Sequence, residues 1–300
     1  MKSDRNKTLD TPLNECGEYL EKCVYAEKHT GSIEEDTVIC GDFFGAVKLI
    51  KDSSVDLLIA DPPYNLRKDY GGEVFSKRTA AEYAEFTRAW LNETKRILKP
   101  SASVYVCCDW ETSIVLGAVL GEFFTVRSRI TWQREKGRGA AANWKNCMED
   151  IWFCTAGNDY TFNLDAVKQR RRVKAPYREN GMPKDWDETE DGNFRYTCPS
   201  NFWDDITVPF WSMAENTAHP TQKPEKLIAK LILASSNENE LVFDPFGGSG
   251  TTAVTAKKLN RRYIVCEKNE QYCAWTQIRL QRAETDKRIQ GYENGVFEKK

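Results

Sequence analysis

The sequence has little that would suggest a metal centre or a disulfide framework. It contains two histidines, His29 and His219, and no Cys-x-x-Cys pair among its ten cysteines. Zinc sites need several cysteine or histidine ligands at characteristic spacings, and Cys40 and Cys266 instead end apolar, strand-like runs. We therefore expect no bound metal, and we expect reduced cysteines that pack as small hydrophobic side chains in a reducing compartment.

Long apolar segments are also missing. The run from Val55 to Ala60 is among the longest, and it is far too short to cross a bilayer. The N-terminus, MKSDRNKTLD, contains no apolar signal core, so the sequence predicts a cytoplasmic protein without membrane contact. The formal net charge of −2 argues against a sequence-independent nucleic-acid coat protein, but it is compatible with an enzyme that has one basic face.

What the sequence does contain is a regular alternation of apolar strands and helical segments. Strands are predicted at 37–40, 55–60, 103–108, 126–133, 150–155, 241–243 and 263–266, and helices at 80–98, 223–235, 250–259 and from 270 onward. The continuous apolar run at 55–60 is typical of parallel sheets that are buried on both faces. The alternation therefore predicts a doubly wound α/β fold.

Two segments depart from this alternation. Residues 1–35 are polar and lack periodicity, which predicts a loosely structured lead-in. Over 157–217 the hydrophobic periodicity fades, basic residues crowd between Lys168 and Arg178, and aromatic residues alternate with polar ones. This composition indicates an inserted binding region rather than additional sheet. We therefore divide the chain into 1–35, 36–156, 157–217 and 218–300.

A glycine-rich turn, FDPFGGSGTT, lies at 243–252 between a predicted strand and a predicted helix. Glycines let the backbone approach a ligand closely, and a helix N-terminus presents free N–H groups. A phosphate-binding loop needs a lysine and a dinucleotide turn needs a third glycine, and both are missing here. A turn for the amino-acid part of S-adenosylmethionine needs neither, and a tight strand–helix connection is the structural alternative. Glu267 ends the next strand, where such domains bind ribose hydroxyls.

The tetrapeptide Asp61-Pro62-Pro63-Tyr64 directly follows the buried strand at 55–60. Doubly wound sheets perform their chemistry at the carboxyl ends of strands, and the two prolines fix the turn. The arrangement suits methylation of an aromatic amine, because hydrogen-bond acceptors on the amino protons free a lone pair that is delocalised into the ring. The Asp61 carboxylate and the Pro62 carbonyl would be those acceptors, and Tyr64 would stack on the base. A plain Pro-Pro strand terminator is the alternative.

Three segments then point to a family: ADPPYNL at 60–66, HPTQKPEKL at 219–227 and FDPFGGSGTT at 243–252. In this order they closely resemble the β-class amino-methyltransferases of DNA, and the resemblance spans residues 36–283. It implies a Rossmann-like, doubly wound methyltransferase sheet with a circularly permuted motif order. It also implies a target-recognition region at 157–217, inserted between a catalytic half at 36–156 and a cofactor-binding half at 218–300.

The resemblance further implies site residues and S-adenosylmethionine as cofactor. The catalytic turn would be Asp61, Pro62, Pro63 and Tyr64. Asp42 would lie near the adenine of the cofactor and Glu267 on its ribose. The residues implied to bind the cofactor are Asp42, Asp61, His219, Thr221, Gln222, Lys223, Asp244, Phe246, Gly247, Gly248, Ser249, Gly250, Thr251 and Glu267.

Aspartate before Pro-Pro-Tyr is similar to the adenine-N6 members of this class, whereas the cytosine-N4 members usually carry serine. The expected function is therefore methylation of N6 of an adenine flipped out of duplex DNA. Cytosine N4 is the first alternative, followed by an amino group in RNA or in protein glutamine, although the protein-modifying group resembles NPPY and carries its cofactor turn upstream. A non-catalytic DNA-binding module is a further alternative. A cognate restriction endonuclease is a partner that the family allows.

Affinity for the DNA backbone has to come from basic side chains. Two segments carry them, one beginning at Arg134 and one between Lys168 and Arg178. A solvated charged surface is the alternative for each. No motif indicates the recognition sequence or the oligomeric state. The predicted DNA contacts are Arg134, Lys136, Arg138, Arg170, Arg171 and Arg172.

Overall fold

A computed structural model describes residues 5–69, 74–134 and 141–298. The strands, in chain order, are β1 (Val24–Tyr25), β2 (Thr37–Cys40), β3 (Val55–Ala60), β4 (Lys68–Asp69), β5 (Val74–Phe75), β6 (Leu98–Cys108), β7 (Thr125–Gln133), β8 (Met148–Thr155), β9 (Gln169–Arg172), β10 (Arg178–Glu179), β11 (Met182–Pro183), β12 (Asp187–Thr189), β13 (Gly192–Thr197), β14 (Phe202–Trp203), β15 (Leu241–Asp244), β16 (Arg262–Glu267), β17 (Tyr292–Glu293) and β18 (Val296–Glu298). The helices are α1 (Gly17–Leu20), α2 (Phe43–Ala46), α3 (Ala80–Ile97), α4 (Trp110–Phe123), α5 (Glu225–Ser235), α6 (Thr251–Lys258) and α7 (Glu270–Arg282), with short 3-10 helices at Leu13–Glu15, Val47–Leu49 and Leu164–Val167.

The main sheet has the order β1-β2-β16-β15-β3-β6-β8-β7-β14 within the described residues. Its strands are parallel except for β8, which runs antiparallel to both β6 and β7. β15 and β3 are neighbours, with Val242 opposite Leu57 and Phe243 opposite Leu58. The carboxyl ends of these two strands therefore meet at one edge of the sheet, and the turns that follow them lie side by side although they are far apart in sequence.

Helices cover both faces of the main sheet. On one face, Leu58 and Ala60 of β3 belong to the core that α2, α3 and α4 complete. On the other face, Leu57 and Ile59 pack with residues of α5, α6 and α7. Each fully buried leucine or isoleucine of these cores contributes about 1.5–3 kcal/mol relative to exposure. The two-sided burial of β3 explains its unbroken apolar sequence and confirms the predicted doubly wound α/β fold.

The predicted strands and helices are all present, with ends that shift by a few residues. The largest shift is in β6, which begins at Leu98 rather than at 103, because α3 ends at Ile97 and the chain enters the strand without a loop. Thr79 caps α3 and Glu82 completes its capping box. A hydrophobic pattern locates the buried centre of a helix or strand more accurately than its ends.

The prediction of a loosely structured lead-in was wrong for residues 5–35. Leu9 and Cys16 are buried against Tyr272 and Trp275 of α7. The indole nitrogen of Trp275 donates to the carbonyl of Thr11 at 2.8 Å, and β1 adds a parallel strand to the edge of the sheet beside β2. The apolar residues of this segment are spaced too widely to form a periodic pattern, yet several pack into the outer side of α7.

The prediction that the insertion contains no additional sheet was also wrong. β12, β13 and β9 form a second sheet with β18 and β17, in the order β12-β13-β9-β18-β17, and β14 joins the main sheet beside β7. Phe297 of β18 is fully buried and lies opposite Gln169 of β9. The sequence of β9, Gln-Arg-Arg-Arg, hides the strand because polar side chains occupy both of its faces. The last strands of the chain thus belong structurally with the insertion.

Within the described ranges, no helix combines the length and apolar character needed to cross a membrane. The same residues contain no group of three or more His, Cys, Asp or Glu side chains arranged to hold a metal ion. All ten cysteines are unpaired, and most of them are buried, as expected for small hydrophobic core residues.

Candidate active site

A cavity of about 1000 Å³ opens at the carboxyl edge of the main sheet, where β3, β15 and β16 end. It brings together nearly all of the side chains that the sequence predicted to bind a cofactor. Gly250 lies outside its wall, and its amide donates to the carbonyl of Gly247 at 2.8 Å. The predicted residues that line the cavity are Asp42, Asp61, Pro63, His219, Thr221, Gln222, Lys223, Asp244, Phe246, Gly247, Gly248, Ser249, Thr251 and Glu267.

The Asp61–Tyr64 turn is held by hydrogen bonds at its base. The hydroxyl of Tyr64 donates to Asp61 Oδ1 at 2.8 Å, and the hydroxyl of Tyr83 on α3 donates to the carbonyl of Pro63 at 3.1 Å. Pro62 is buried, whereas Asp61 is partly exposed to the cavity. The turn thus presents the Asp61 carboxylate to the cavity in a fixed position, as predicted from its two prolines.

Lys223 lies beneath this turn and is buried. Its ammonium is 2.6 Å from Asp61 Oδ2, 3.0 Å from the hydroxyl of Tyr64 and 3.3 Å from Glu149 Oε2. Burial alone would lower the pKa of Lys223, but the carboxylates of Asp61 and Glu149 raise it well above its ordinary value. Lys223 is therefore a permanent cation at the floor of the site.

Glu149, at the start of β8, is the residue of this network that sequence reasoning missed. It accepts a hydrogen bond from the hydroxyl of Tyr64 at 3.1 Å and a charged hydrogen bond from Arg134. Burial raises the pKa of Glu149, but the cations of Lys223 and Arg134 outweigh burial and hold it below its ordinary value. A buried, ionised carboxylate thus lies directly behind the Asp61–Tyr64 turn.

The glycine turn after β15 allows a close approach of backbone segments. A Cβ on Gly247 would lie 2.1 Å from Val265 Cγ2 and 3.3 Å from the carbonyl oxygen of Cys266, so no other residue fits without displacement. Gly248 has a φ of +51°, and its amide donates to Glu267 Oε2 at 2.8 Å. Glu267 therefore joins the end of β16 to the glycine turn while it also lines the cavity.

Asp244 connects the same turn to α6. Its Oδ1 accepts from the amide of Phe246 at 2.9 Å, and its Oδ2 accepts from the hydroxyl of Thr252 at 2.6 Å. Burial raises the pKa of Asp244 to about 7, although these two hydrogen bonds favour the ionised form. Its charge therefore changes near neutral pH at the wall of the cavity.

The segment at 219–223 lies beside the glycine turn, since a Cβ on Gly248 would be 3.0 Å from His219 Nε2. The His219 ring packs edge-on against Tyr272 with centroids 4.5 Å apart, and its Nδ1 accepts from the amide of Thr221 at 3.3 Å. Gln222 uses its amide oxygen to accept from Thr217 at 2.8 Å and its amide nitrogen to donate to the carbonyl of Glu215 at 2.7 Å. The Gln222 side chain thus shapes the cavity wall through local hydrogen bonds, and its predicted contact with a cofactor stays a prediction.

Asp42 lies at the far end of the cavity and caps α2, because its Oδ1 accepts from the amide of Phe44 at 2.9 Å. Phe43 and Phe246 also line this end, with ring centroids 5.9 Å apart. The cavity is therefore polar near Asp61 and Asp244 and partly aromatic near Asp42.

Comparison with known proteins agrees with this geometry. A family model described as DNA methylase matches residues 55–278. The chain belongs to this DNA methylase family. It is 35% identical to the type II methyltransferase M.HpaI of Haemophilus parainfluenzae over 251 residues, which are 82% of this chain and 74% of that protein. It is 33% identical to the DNA adenine methyltransferase YhdJ of Escherichia coli (strain K12) over 246 residues, which are 80% of each chain.

The fold of this DNA methylase is similar to that of TTHA0409, a putative DNA modification methylase from Thermus thermophilus whose crystal structure contains S-adenosyl-L-methionine. The two share 17% identity with a TM-score of 0.55 over 82% of this chain and 93% of that chain. At this identity the similarity concerns the fold alone.

The six residues predicted to contact DNA fall into three groups. Lys136 and Arg138 lie outside the described residues. Arg134 binds Glu149 through its guanidinium and is about one-third exposed, at 31%. Arg170, Arg171 and Arg172 lie in sequence along β9 of the second sheet.

Because side chains alternate between the two faces of a strand, the three arginines of β9 do not all lie on one face of the second sheet. Arg170 and Arg172 share one face of the second sheet, where the Arg170 guanidinium stacks on Phe194 at 3.8 Å from the ring centroid and lies 3.4 Å from Glu298. Arg171 is on the other face, directly opposite Arg195 of β13. The three residues therefore do not form one continuous patch, and their contacts with DNA stay predictions.

Proposed function

We propose that this DNA methylase transfers a methyl group from S-adenosylmethionine to N6 of adenine in duplex DNA. One observation carries the proposal: the Asp61 carboxylate and the glycine turn that begins at Asp244 line one cavity, because β3 and β15 are neighbours in the sheet. An acceptor for amino protons thereby lies within reach of a cofactor seated on the glycine turn.

The cavity fits the proposed cofactor in charge and in size. Asp42, Asp61, Asp244 and Glu267 line it, and the buried cation Lys223 is bound to carboxylates. S-adenosylmethionine carries a positive sulfonium and a positive ammonium group, so an acid-lined cavity suits it, and about 1000 Å³ is ample for a ligand of this size. When bound, the cofactor supplies an activated methyl group. Asp244 and the turn residues Gly247, Gly248 and Ser249 would hold its methionine part, Glu267 its ribose, and Asp42 would lie near its adenine.

The chain's own residues would activate the amine. The Asp61 carboxylate would accept a hydrogen bond from one N–H of the amino group and the Pro62 carbonyl a hydrogen bond from the other, and both would draw the lone pair out of conjugation with the ring. The one proton that the nitrogen loses on methyl transfer would pass to Asp61 or to solvent. Lys223 fixes the orientation of Asp61 through Oδ2, which leaves Oδ1 as the atom for the substrate. The ring of Tyr64 would stack on the flipped base. The Tyr64 hydroxyl has to release Asp61 Oδ1 before the amino group can bind to that atom.

Two features favour adenine over cytosine. The residue before Pro-Pro-Tyr is Asp61, as in the adenine-N6 members that the sequence resembles, and one curated relative at 33% identity is named an adenine methyltransferase. Methylation of cytosine N4 uses the same mechanism and is the second candidate, so the modified nucleoside must be identified directly.

The second sheet is proposed as the target-recognition region, with contacts to duplex DNA from its basic residues. Arg170 and Arg172 on one face, with Phe194 and Tyr196 beside them, provide both charge for phosphates and aromatic surface. A restriction endonuclease that cuts the same sequence is the proposed partner of the modification. Sequencing of modified positions, followed by digestion with endonucleases that cleave there, would test this partnership.

The decisive experiment is transfer of labelled methyl from S-adenosylmethionine to unmethylated duplex DNA, followed by nucleoside analysis. We expect label in N6-methyladenine and a loss of rate of about 10²- to 10⁴-fold in Asp61→Asn, which keeps the shape of the side chain but removes its charge. Label in N4-methylcytosine would overturn the base assignment. Cofactor binding without any label in DNA would overturn the proposed function and direct the search to RNA or protein substrates.

A further inference from the structure

Glu149 occupies a position that the proposed reaction leaves unexplained. It lies at the start of β8, and because β8 runs antiparallel to β6, the start of β8 reaches the same sheet edge as the carboxyl end of β3. The side chain is only 6% exposed, and it contacts Tyr64, Lys223 and Arg134. A carboxylate that is so deeply buried costs free energy unless its partners need it.

The hydrogen bonds around Tyr64 show what Glu149 provides. The single hydroxyl proton of Tyr64 is shared between Asp61 Oδ1 at 2.8 Å and Glu149 Oε2 at 3.1 Å. The pKa of Tyr64 is raised well above its ordinary value, first by burial and then by the charges of Asp61 and Glu149, so the hydroxyl stays protonated. When a substrate amine takes Asp61 Oδ1, Glu149 is the acceptor already in place for this buried hydroxyl.

The charges lead to the same conclusion. Lys223 lies between two carboxylates, at 2.6 Å from Asp61 and 3.3 Å from Glu149. Without Glu149, the buried ammonium would have Asp61 as its nearby carboxylate and would hold it more tightly. Arg134 binds Glu149 from the other side, so the four side chains form a neutral set of two cations and two anions.

We infer that Glu149 is a positioning residue that takes over the Tyr64 hydroxyl and holds Lys223 while Asp61 binds the amino group of the target base. The inference rests on the proposed function. It makes the Tyr64 hydroxyl part of a hydrogen-bond exchange, with both carboxylates engaged in the free protein and Glu149 alone in the complex. Arg134, predicted to contact DNA, acquires a second role as the residue that keeps Glu149 in place.

The test is a double-mutant cycle on the full chain, with Glu149→Gln, Tyr64→Phe and the double variant. The rate of single-turnover methyl transfer is measured at saturating DNA and S-adenosylmethionine, together with the Kd for the cofactor and the Tm. Glu149→Gln should slow the transfer by roughly 10- to 100-fold, while the cofactor Kd stays within about twofold. In the Tyr64→Phe background the same substitution should cost at least about fivefold less, because the hydroxyl it serves is gone.

Glu122→Gln is the matched control, because Glu122 is an ion-paired glutamate on α4, outside the cavity wall, and its variant should keep the wild-type rate. A wild-type rate in Glu149→Gln, or an equal loss in both backgrounds, would overturn the inference and leave Glu149 a structural residue. If Glu149→Gln does not fold, Glu149→Asp replaces it in the cycle with the same criteria. Absence of methyl transfer by the wild-type chain would instead overturn the proposed function, and this inference with it.

Discussion

The ammonium of Lys223 lies 2.6 Å from Asp61 Oδ2, and this contact joins the segment before α5 to the turn after β3. Two parts of the chain that are remote in sequence thereby share one buried ion pair. Because Lys223 also contacts the hydroxyl of Tyr64, we expect it to hold the Asp61–Tyr64 turn in place, and this leads to the first prediction.

Replacement of Lys223 by methionine should lower the free energy of unfolding by about 3–5 kcal/mol, because it leaves the buried Glu149 and the partly exposed Asp61 without their shared cation. Urea denaturation measures this loss. The matched control is Lys51→Met, since the Lys51 side chain is 57% exposed and lies 3.9 Å from its acidic partner. Its stability should change by no more than about 0.5 kcal/mol. Equal effects in the two variants would contradict a structural role for the Lys223 ion pair.

Replacement of Gly247 by alanine should destabilise the protein by about 1–3 kcal/mol, because the added methyl group would overlap Val265. The cofactor should also bind more weakly, since the glycine turn must shift to relieve this contact. Gly121→Ala in α4 is the matched control, as nothing lies within 4 Å of its added Cβ. A helical glycine replaced in this way should gain up to about 1 kcal/mol. Thermal unfolding with and without cofactor would compare the Tm values of the two variants. A Tm of Gly247→Ala equal to that of the wild type would refute the packing argument.

Binding of S-adenosylmethionine should tighten as the pH rises through about 7, because the pKa of Asp244 is raised to about 7 and a positively charged ligand prefers its ionised form. Binding below this pH should release a proton, which calorimetry in buffers of different ionisation enthalpy detects. Asp244→Asn should abolish the released proton. An identical release in this variant would assign it to another group, such as Glu215, whose pKa burial and the neighbouring Glu225 also raise to about 7.

The raised pKa of Asp244 also makes the stability of the cofactor-free protein depend on pH. Below pH of about 4, Asp244 is neutral in both the folded and the unfolded chain. As the pH rises toward about 7, the unfolded chain ionises while the folded one stays neutral, so this group's contribution to stability is lost over that window. Between these limits, the free energy of unfolding of Asp244→Asn should therefore rise relative to that of the wild type as the pH increases, and urea denaturation at pH 4 and pH 7 measures this difference.

Substitution of Arg170 and Arg172 by glutamine should weaken binding to duplex DNA and reduce the slope of log K against log salt by about 2, one unit for each lost phosphate contact. The Kd for the cofactor should stay unchanged. Arg282→Gln with Lys287→Gln removes the same charge from exposed positions at or beyond the end of α7. That end lies at the opposite edge of the sheet from the cavity, so this pair should keep the wild-type slope. A wild-type slope in the first pair would exclude this face of the second sheet from the DNA interface.

The Asp61–Tyr64 turn and the glycine turn were predicted from sequence because each follows a continuous apolar strand, and strand ends in parallel sheets lie at one edge. Glu149 was missed because it lies near the start of its strand rather than at the carboxyl end. Its position at the site depends on β8 running antiparallel to its neighbours, and the hydrophobic pattern of a strand does not encode its direction. The place of Arg134 in the site depends on the same antiparallel pair.

The second sheet was missed because four of its five strands are only two to four residues long. β9 is polar on both faces, so the alternation of aromatic and polar residues in β13 has no equally clear counterpart in the neighbouring strands. Its stability comes instead from partners distant in sequence, such as Phe297 of β18, which packs with Val167 and with Ala229 and Leu233 of α5. Lys230, which is also buried there, pairs with Asp205 at 3.0 Å. Contacts of this kind become visible only once the chain is folded.

The parallel pairing of β18 with β9 bears on how this enzyme could be re-engineered. The region proposed to read the DNA is not confined to the insertion, because β17 and β18 complete its sheet. A graft of residues 157–217 alone into a related methylase would lack β17 and β18, whereas a graft that also carries 289–298 would include all five strands of the second sheet.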